Sequence, residues 1–474
     1  MRLFALVLLP ALAGLAAYLS RRRTFRTAAL LGTAGLHTAV VALLWQGPPL
    51  VAPGGWLRVD ALGLMALTVV SLLFLAVAVY AVGFLQVDRP RGGRVFVSCL
   101  LGFLAAATLV TLSHHLALLW IGMEATTLAL APLVFHRHDR RSLEAVWKYL
   151  VLSSVGIGLA LFGTFFLAAA QVRGRPLILE DLVQHAATLE PGLLRGAFIF
   201  LLVGYGTKMG LAPLHAWKPD TYGEAPSLVA GLMAGALTSC AFLGLARAVE
   251  VMAAAGQVGF MRPPLLGLGI VSLVVSAAFV IGQTDLKRLL AYSSIEHMGI
   301  LALALGIGGA GSWGAGLHLI NNGLTKGLLF LVVGNVVLCY GTSEAAAIRG
   351  ALRRAPWSGA LLLAGLFAVT GSPPFGLFVS EFTILGAAVR QGLTGVAILM
   401  VGLLAIIFIG MAAMILEVVY GTPAEEGEPA RETAWLLAGP IALGALVLML
   451  GIYLPGPLRT LLGEAARALG GTAP

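Results

Sequence analysis

Apolar runs of about 20 residues, divided by short polar or Gly/Pro-rich stretches, repeat along the whole chain. A run of that length is what an α-helix needs to cross the roughly 30 Å hydrocarbon core of a bilayer. The pattern predicts an all-α polytopic membrane protein with about fourteen transmembrane helices. The predicted spans are 3–19, 27–46, 60–86, 94–112, 114–136, 143–170, 194–216, 224–250, 265–284, 288–308, 313–340, 357–389, 393–420 and 433–455. At Ser113-His114-His115 two spans meet with almost no loop. Met1-Arg2 and the apolar run to Leu19 imitate a signal peptide, but no cleavage pattern follows. Arg21, Arg22, Arg23 and Arg26 come next, so the run is read as the first span. A last segment, 458–469, is weakly amphipathic and is expected at the membrane surface.

Prolines interrupt this pattern twice. Pro213 falls at the end of the seventh span with Pro219 just beyond it, and Gly371-Ser-Pro-Pro374 lies inside the twelfth. Proline removes a backbone donor, and lipid tolerates broken backbone only where protein or a watery cavity covers it. The breaks, at 213–219 and 371–374, predict two inverted five-helix repeats, each with a broken helix. Residues 94–250 form the first repeat and residues 265–420 the second. An N-terminal unit, 1–93, precedes them, and a C-terminal span and surface segment, 433–474, follow. Five is odd, so the second repeat enters the membrane with opposite polarity.

Composition agrees: 59% of the residues are hydrophobic and 11% charged. The net charge of +9 calls for no nucleic-acid partner, because cytoplasmic loops collect basic residues. Placing the N-terminus outside gives the cytoplasm Arg21 to Arg26, Arg89, Arg91, Arg94, Arg137, Arg140, Arg141 and Lys148. It also receives Lys218, Lys287, Arg288, Arg349, Arg353, Arg354 and Arg431. That is roughly eighteen basic residues inside against ten outside. The chain is therefore expected in the cell inner (cytoplasmic) membrane with both termini on the outer side. The longest external loop, 171–193, carries Glu180, Asp181 and Glu190. Cys99, Cys240 and Cys339 form no CxxC pair and no metal or cluster spacing, and no glycine-rich phosphate loop is present. No cofactor is expected in this chain.

Few ionisable residues fall at membrane depth. Lys208 lies on the order of 20 Å into the bilayer from Leu194, where a charge costs roughly 3 kcal/mol or more. Glu124, in mid-span, is its natural ion-pair partner. His318 and Lys326 are eight residues apart, close to one helical face, with Asn321 and Asn322 between them to hold water. Glu381 follows the second break. Glu124, Lys208, His318, Lys326 and Glu381 together read as a hydrated proton relay. His215, Asp220, Tyr222 and Glu224 cluster where the seventh span meets the cytoplasm, as a proton entrance or as caps for the next helix. Glu296, His297, Thr238 and Ser239 are further candidate relay positions, the last two holding water between the halves. His114 and His115, near the outer surface, read as solvated histidines or as a proton exit.

Lys208 through Pro226 resembles the signature of the antiporter-like membrane subunits of respiratory complex I, shared with Mrp-type cation/proton antiporters and membrane-bound hydrogenases. The resemblance covers residues 55–420. Gln283-Thr-Asp-Leu-Lys-Arg-Leu-Leu-Ala-Tyr-Ser-Ser-Ile-Glu-His-Met-Gly299 and Gly371-Ser-Pro-Pro-Phe-Gly-Leu-Phe-Val-Ser-Glu381-Phe are most similar to the F subunit of hydrogenase-4-type complexes. The resemblance implies that Glu124 and Lys208 match the family's glutamate–lysine pair and Glu381 its terminal glutamate. Two positions depart from it. Ser239 stands where many relatives carry a lysine, and Asn322 where a second histidine is common. The resemblance further implies a proton-translocating subunit of a complex I-like redox complex, of hydrogenase-4 or NADH:quinone oxidoreductase type. Its partners would be other membrane subunits and a peripheral redox arm. Ni–Fe centres, iron–sulfur clusters or flavin would sit only in those partners. A cation/proton antiporter subunit of a non-redox complex, moving Na+, and a non-conducting scaffold remain the alternatives.

Overall fold

The computed structural model describes residues 2–47, 50–87, 93–172, 174–422 and 432–473. Helices α1 (Arg2–Leu19), α2 (Arg23–Leu44), α3 (Ala61–Val87), α4 (Gly93–Leu112), α5 (Leu116–Val134) and α6 (Arg140–Ala170) come first. Then follow α7 (Leu179–Gln184), α8 (Pro191–Met209), α9 (Trp217–Glu224), α10 (Ser227–Leu232), α11 (Thr238–Ala254), α12 (Val258–Val280) and α13 (Leu286–Ile307). The rest are α14 (Ala310–Tyr340), α15 (Ala351–Arg354), α16 (Pro356–Val369), α17 (Gly376–Arg390), α18 (Thr394–Tyr420), α19 (Ala434–Ile452) and α20 (Gly456–Ala468). Among the described residues β-structure is confined to isolated bridges.

Helix α14 is the hub. It packs against α3, α10, α13, α16, α17, α19 and α20, and it is buried from Ala310 to Val336. Helices α13 and α10–α11 are likewise buried along nearly their whole length. The outer helices carry large apolar side chains outward, Trp147 and Phe162 on α6 and Ile398 and Ile409 on α18 among them. Such a surface suits lipid or neighbouring membrane helices.

Twelve helical segments of the described residues are long and apolar enough to cross a bilayer. The two predicted spans missing from that set, 194–216 and 357–389, are the broken ones. Helix α8 stops at Met209, Gly210 takes φ 77°, and α9 starts only at Trp217. Helix α16 stops at Val369, Gly371 takes φ 61°, and α17 starts at Gly376. Pro219 does not mark the break as predicted. It is the third residue of α9, where a proline has no intrahelical bond to lose. A further irregularity has no proline to announce it. A π-helical turn, Met233–Leu237, joins α10 to α11. Thr238 Oγ1 donates to the Ala234 carbonyl at 2.5 Å and Ser239 Oγ to that of Gly235 at 2.7 Å.

The loop expectations change in several places. Lys218 and Lys287, counted among cytoplasmic loop cations, are buried. Each reaches a backbone oxygen that a helix end leaves free. Lys218 Nζ donates to Met209 O at 2.6 Å and Lys287 Nζ to Ala225 O at 3.0 Å. Arg89, Arg91 and Arg431 lie outside the described residues. His114 is not solvated: it is 4% exposed, and its Nε2 lies 3.3 Å from Asp60. Loop 171–193 contains α7, and its Glu180 pairs with Arg58. Segment 458–469 runs along α20 to its C-cap residue Leu469 and is more firmly held than expected. Leu458, Leu462 and Ala465 recur at helical spacing and are buried, and α20 packs on α14 and α3.

Asp60 and Arg247 tie α3 to α11. Both terminal guanidinium nitrogens, Nη1 and Nη2, lie 2.6 Å from the Asp60 carboxylate, and Glu250 adds a contact to Nη1 at 3.2 Å. Arg247 is 1% exposed, so removing it strands two carboxylates near one another. Arg247→Ala is expected to cost about 3 kcal/mol of stability, read as a lower unfolding temperature of the detergent-solubilised protein. An unchanged melting profile would remove this cluster from the fold's essential contacts.

Candidate functional site: a buried line of ionisable side chains

Lys208 lies in the last turn of α8, just before the first break, and is fully buried. Its Nζ donates to the hydroxyl of Thr127 and lies 5.0 Å from the centroid of the Tyr149 ring. Thr127 is three residues beyond Glu124, hence on the same face of α5. Its Oγ1 is 3.4 Å from Glu124 Oε2, while Ser154 Oγ on α6 donates to Oε1 at 3.0 Å. The sequence predicts an ion pair here. The structure places a hydroxyl between the lysine and the carboxylate.

The second half repeats this chemistry with other residues. Lys326, on α14, donates to Ser293 Oγ at 2.7 Å, and Ser293 Oγ donates to Glu296 Oε2 at 3.2 Å. Again the hydroxyl and the carboxylate are three residues apart on one helix, now with the hydroxyl first. Glu296, a secondary candidate from sequence, is therefore joined to Lys326 itself. His297 Nδ1 lies 3.1 Å from His318 Nε2, and His318 Nδ1 lies 3.0 Å from Ser380 Oγ. Asn322 occupies the position read as lacking a second histidine. The second imidazole comes instead from α13, across the helix interface. Glu381 is next to Ser380, is 7% exposed, and turns its carboxylate towards Gly371 in the second break.

Lys218, read from sequence only as a loop cation, lies between these two clusters. It is fully buried, its Nζ is 5.7 Å from the Tyr222 ring centroid, and the charge of Lys326 bears on it. Tyr149, Trp217 and Tyr222 pack in series, with centroids 5.3 and 6.1 Å apart. The hydroxyls of Tyr149 and Tyr222 are buried without a hydrogen-bond partner, as are Asn321 Oδ1 and Asn322 Oδ1. Buried polar atoms of this kind mark positions for ordered water. Thr238 and Ser239 are less free to hold water than predicted. Their protons are committed to carbonyls of the π turn, and only their lone pairs remain.

Asp220 and Glu224, on α9, line a polar cavity of about 510 Å3 with Arg137, Lys148, Asp285 and Arg288. Lys148 and Arg288 bind Asp220 at 2.7 and 2.8 Å, and Arg137 lies 3.7 Å from Glu224. The two acids thus share one charged vestibule and cap no helix through their side chains. His215 stands apart, half-buried in the first break with Nδ1 unpartnered.

The arrangement defines a polytopic membrane protein in which amines, imidazoles and carboxylates line up between two broken helices. The chain belongs to the NADH:quinone oxidoreductase/Mrp antiporter transmembrane family, which matches residues 113–408. It is 34% identical over 432 residues to the hydrogenase-4 component F homolog of Methylacidiphilum infernorum, covering 87% of this chain and 88% of that one. NADH-quinone oxidoreductase subunit 14 of Thermus thermophilus is 31% identical over 435 residues, covering 91% and 92%. Among solved structures, a chain of respiratory complex I from Thermus thermophilus with bound aureothin superposes with a TM-score of 0.81 at 29% identity. It covers 98% of this chain and 100% of that one. The family match takes in every ionisable residue of the line, from Glu124 to Glu381.

Gly371 permits the second break to lie against Glu381. Its φ is positive, and a Cβ there would fall 2.0 Å from Glu381 Oε2. Gly371→Ala is expected to cost about 2 kcal/mol or more, through left-handed strain and displacement of the carboxylate. Gly395→Ala, where nothing lies within 4 Å, serves as the control. Comparable melting temperatures for the two variants would contradict this account.

Proposed function

We propose that this chain is a proton-translocating membrane subunit of a complex I-like redox complex of the hydrogenase-4 or NADH:quinone oxidoreductase type. Partner subunits carry the electrons and any Ni–Fe, iron–sulfur or flavin centres. The observation that carries this reading is the repeated lysine–hydroxyl–glutamate cluster, one per half, with buried titratable groups between and beyond. Amine and imidazole nitrogens dominate the line. They suit protons better than Na+, which, like other hard cations, favours oxygen cages.

In the proposed route a proton enters from the vestibule at Asp220 and Glu224, on the cytoplasmic side. Glu124, acting through Thr127, holds Lys208 protonated. When Glu124 is neutralised or moves away, Lys208 releases its proton towards the Tyr149 and Tyr222 hydroxyls and Lys218. Lys326 receives it, with Ser293 and Glu296 resetting the amine. The His297–His318 pair then passes it to Glu381. The two five-helix units, 94–250 and 265–420, act as inverted repeats, so the broken helices α8–α9 and α16–α17 occupy corresponding places.

Proton uptake by proteoliposomes carrying the assembled complex tests the route. Lys208→Ala and Lys208→Arg are expected to assemble yet translocate at least about tenfold more slowly, since guanidinium does not deprotonate at accessible pH. Glu124→Gln should impair coupling too, and Ser239→Ala should matter least. Wild-type uptake by Lys208→Arg would overturn the mechanism. Orientation has its own test. Cysteines placed at 140 and 353 should resist a membrane-impermeant thiol reagent applied from the outer side. Ready labelling would invert the topology.

A further inference from the structure

His297, His318 and Glu381 come from three helices, α13, α14 and α17, and their donor atoms all lie within 4.8 Å of one another. All three side chains are buried. We propose that this trio binds a divalent transition-metal cation of the zinc type, and that its occupation blocks proton passage to Glu381. The second half of the proposal rests on the proton route above; the first does not.

The donor set and its geometry favour such an ion. His297 Nδ1 and His318 Nε2 are 3.1 Å apart. Two nitrogens bound tetrahedrally to zinc at about 2.0–2.1 Å would be separated by roughly 3.3 Å. The tautomer of His318 is already suitable. Ser380 Oγ donates its proton to Leu377 O at 2.9 Å, so it accepts from His318 Nδ1–H, leaving a lone pair on Nε2. His297 then donates Nδ1–H to that lone pair. For both nitrogens to ligate, the His297 proton must move to its Nε2, which is buried without a partner. Glu381 Oε1 is also buried without a partner and supplies the third ligand. Two imidazoles and a carboxylate suit zinc, whereas Na+ and Mg2+ favour oxygen alone.

A crevice of about 380 Å3 between α17 and α18 is lined by Thr370, Gly371 and Glu381 among apolar side chains. The charges facing the trio have both signs. Lys326 and Lys218 bear on His297, and Lys326 on His318, whereas Glu296 bears on Glu381. The lysines oppose a dication and moderate its affinity, while Glu296 and Glu381 offset its charge. Loading therefore competes with protons for the same atoms, and this competition is why a bound cation stops the relay.

The test uses the intact membrane complex and added zinc chloride. Bound zinc per chain is measured by equilibrium dialysis, and its ligands by X-ray absorption at the zinc edge. Wild type should hold one more zinc per chain than His318→Gln or Glu381→Gln, with imidazole scattering in its spectrum. The exposed His138→Ala variant should match wild type. Glu381→Gln keeps the shape of the side chain and carries the test if the histidine variant fails to assemble. Equal zinc content in wild type and both trio variants overturns the site. Zinc that is bound at the trio but leaves proton uptake unchanged overturns the block. That result would also remove the trio from the proton route, while the metal site itself would stand.

Discussion

A helix that stops inside a bilayer leaves carbonyls with no water to bond, and much of this structure answers that constraint. At the first break Thr207 O accepts from Trp217 Nε1 at 2.9 Å, and Met209 O accepts from Lys218 Nζ. The partial negative charge of a helix C-terminus favours a cation at that place. The break thus accounts for a lysine deep in the protein without a carboxylate bound to it. The second break is closed differently. Leu366 O accepts from Thr370 Oγ1 at 2.8 Å and Phe367 O from the Ser372 amide at 3.0 Å. No cation is drawn in, and the open space beside Gly371 receives the carboxylate of Glu381 instead. One backbone problem, met in two ways, leaves a base-rich break in the first half and an acidic one in the second.

The interposed hydroxyls bear on how such a line can conduct. A lysine in direct contact with a glutamate at 4 Å would be held by about 4 kcal/mol even at an effective dielectric of 20. A proton so held is slow to leave. Thr127 and Ser293 keep amine and carboxylate apart while bonding to both, because a hydroxyl donates and accepts at once. The field of the acid still reaches the amine, but the trap is shallower. Small movements of α5 against α8, or of α13 against α14, then change the hold on the lysine without breaking a full ion pair.

Much of this was legible in the sequence. Apolar runs set by bilayer thickness located the helices, and prolines located both broken spans. Glu124, Lys208, His318, Lys326 and Glu381 stood out because charge is rare at depth. The cross-helix partners did not stand out. Periodicity says which residues share a face of one helix, and nothing about what faces them. Hence Thr127, Tyr149 and Ser293 went unnoticed, and the contact of His297 with His318 was not foreseen. Lys218 was misread for a different reason. Beside Pro219 and Asp220 it has the look of an interfacial cation, and only the fold shows α9 turned inward. The π turn at Met233–Leu237 has no distinctive residue, so its effect on Thr238 and Ser239 was invisible as well.

The ends of the line approach the sides of the molecule. Ser154, which binds Glu124, is exposed on α6, and Glu381 borders the crevice between α17 and α18. Between them the polar groups are almost wholly buried. A serine and a glutamate at membrane depth are costly against lipid and stable against another protein. The outward faces of α6 and α18 are apolar around these points, with Trp147, Phe162, Ile398 and Ile409 exposed. Neighbouring membrane subunits seated on those faces would exclude lipid from both ends and supply hydrogen-bond partners there. Assembly and conduction are then linked by the same physical requirement, since the line is fully shielded only when the chain is flanked.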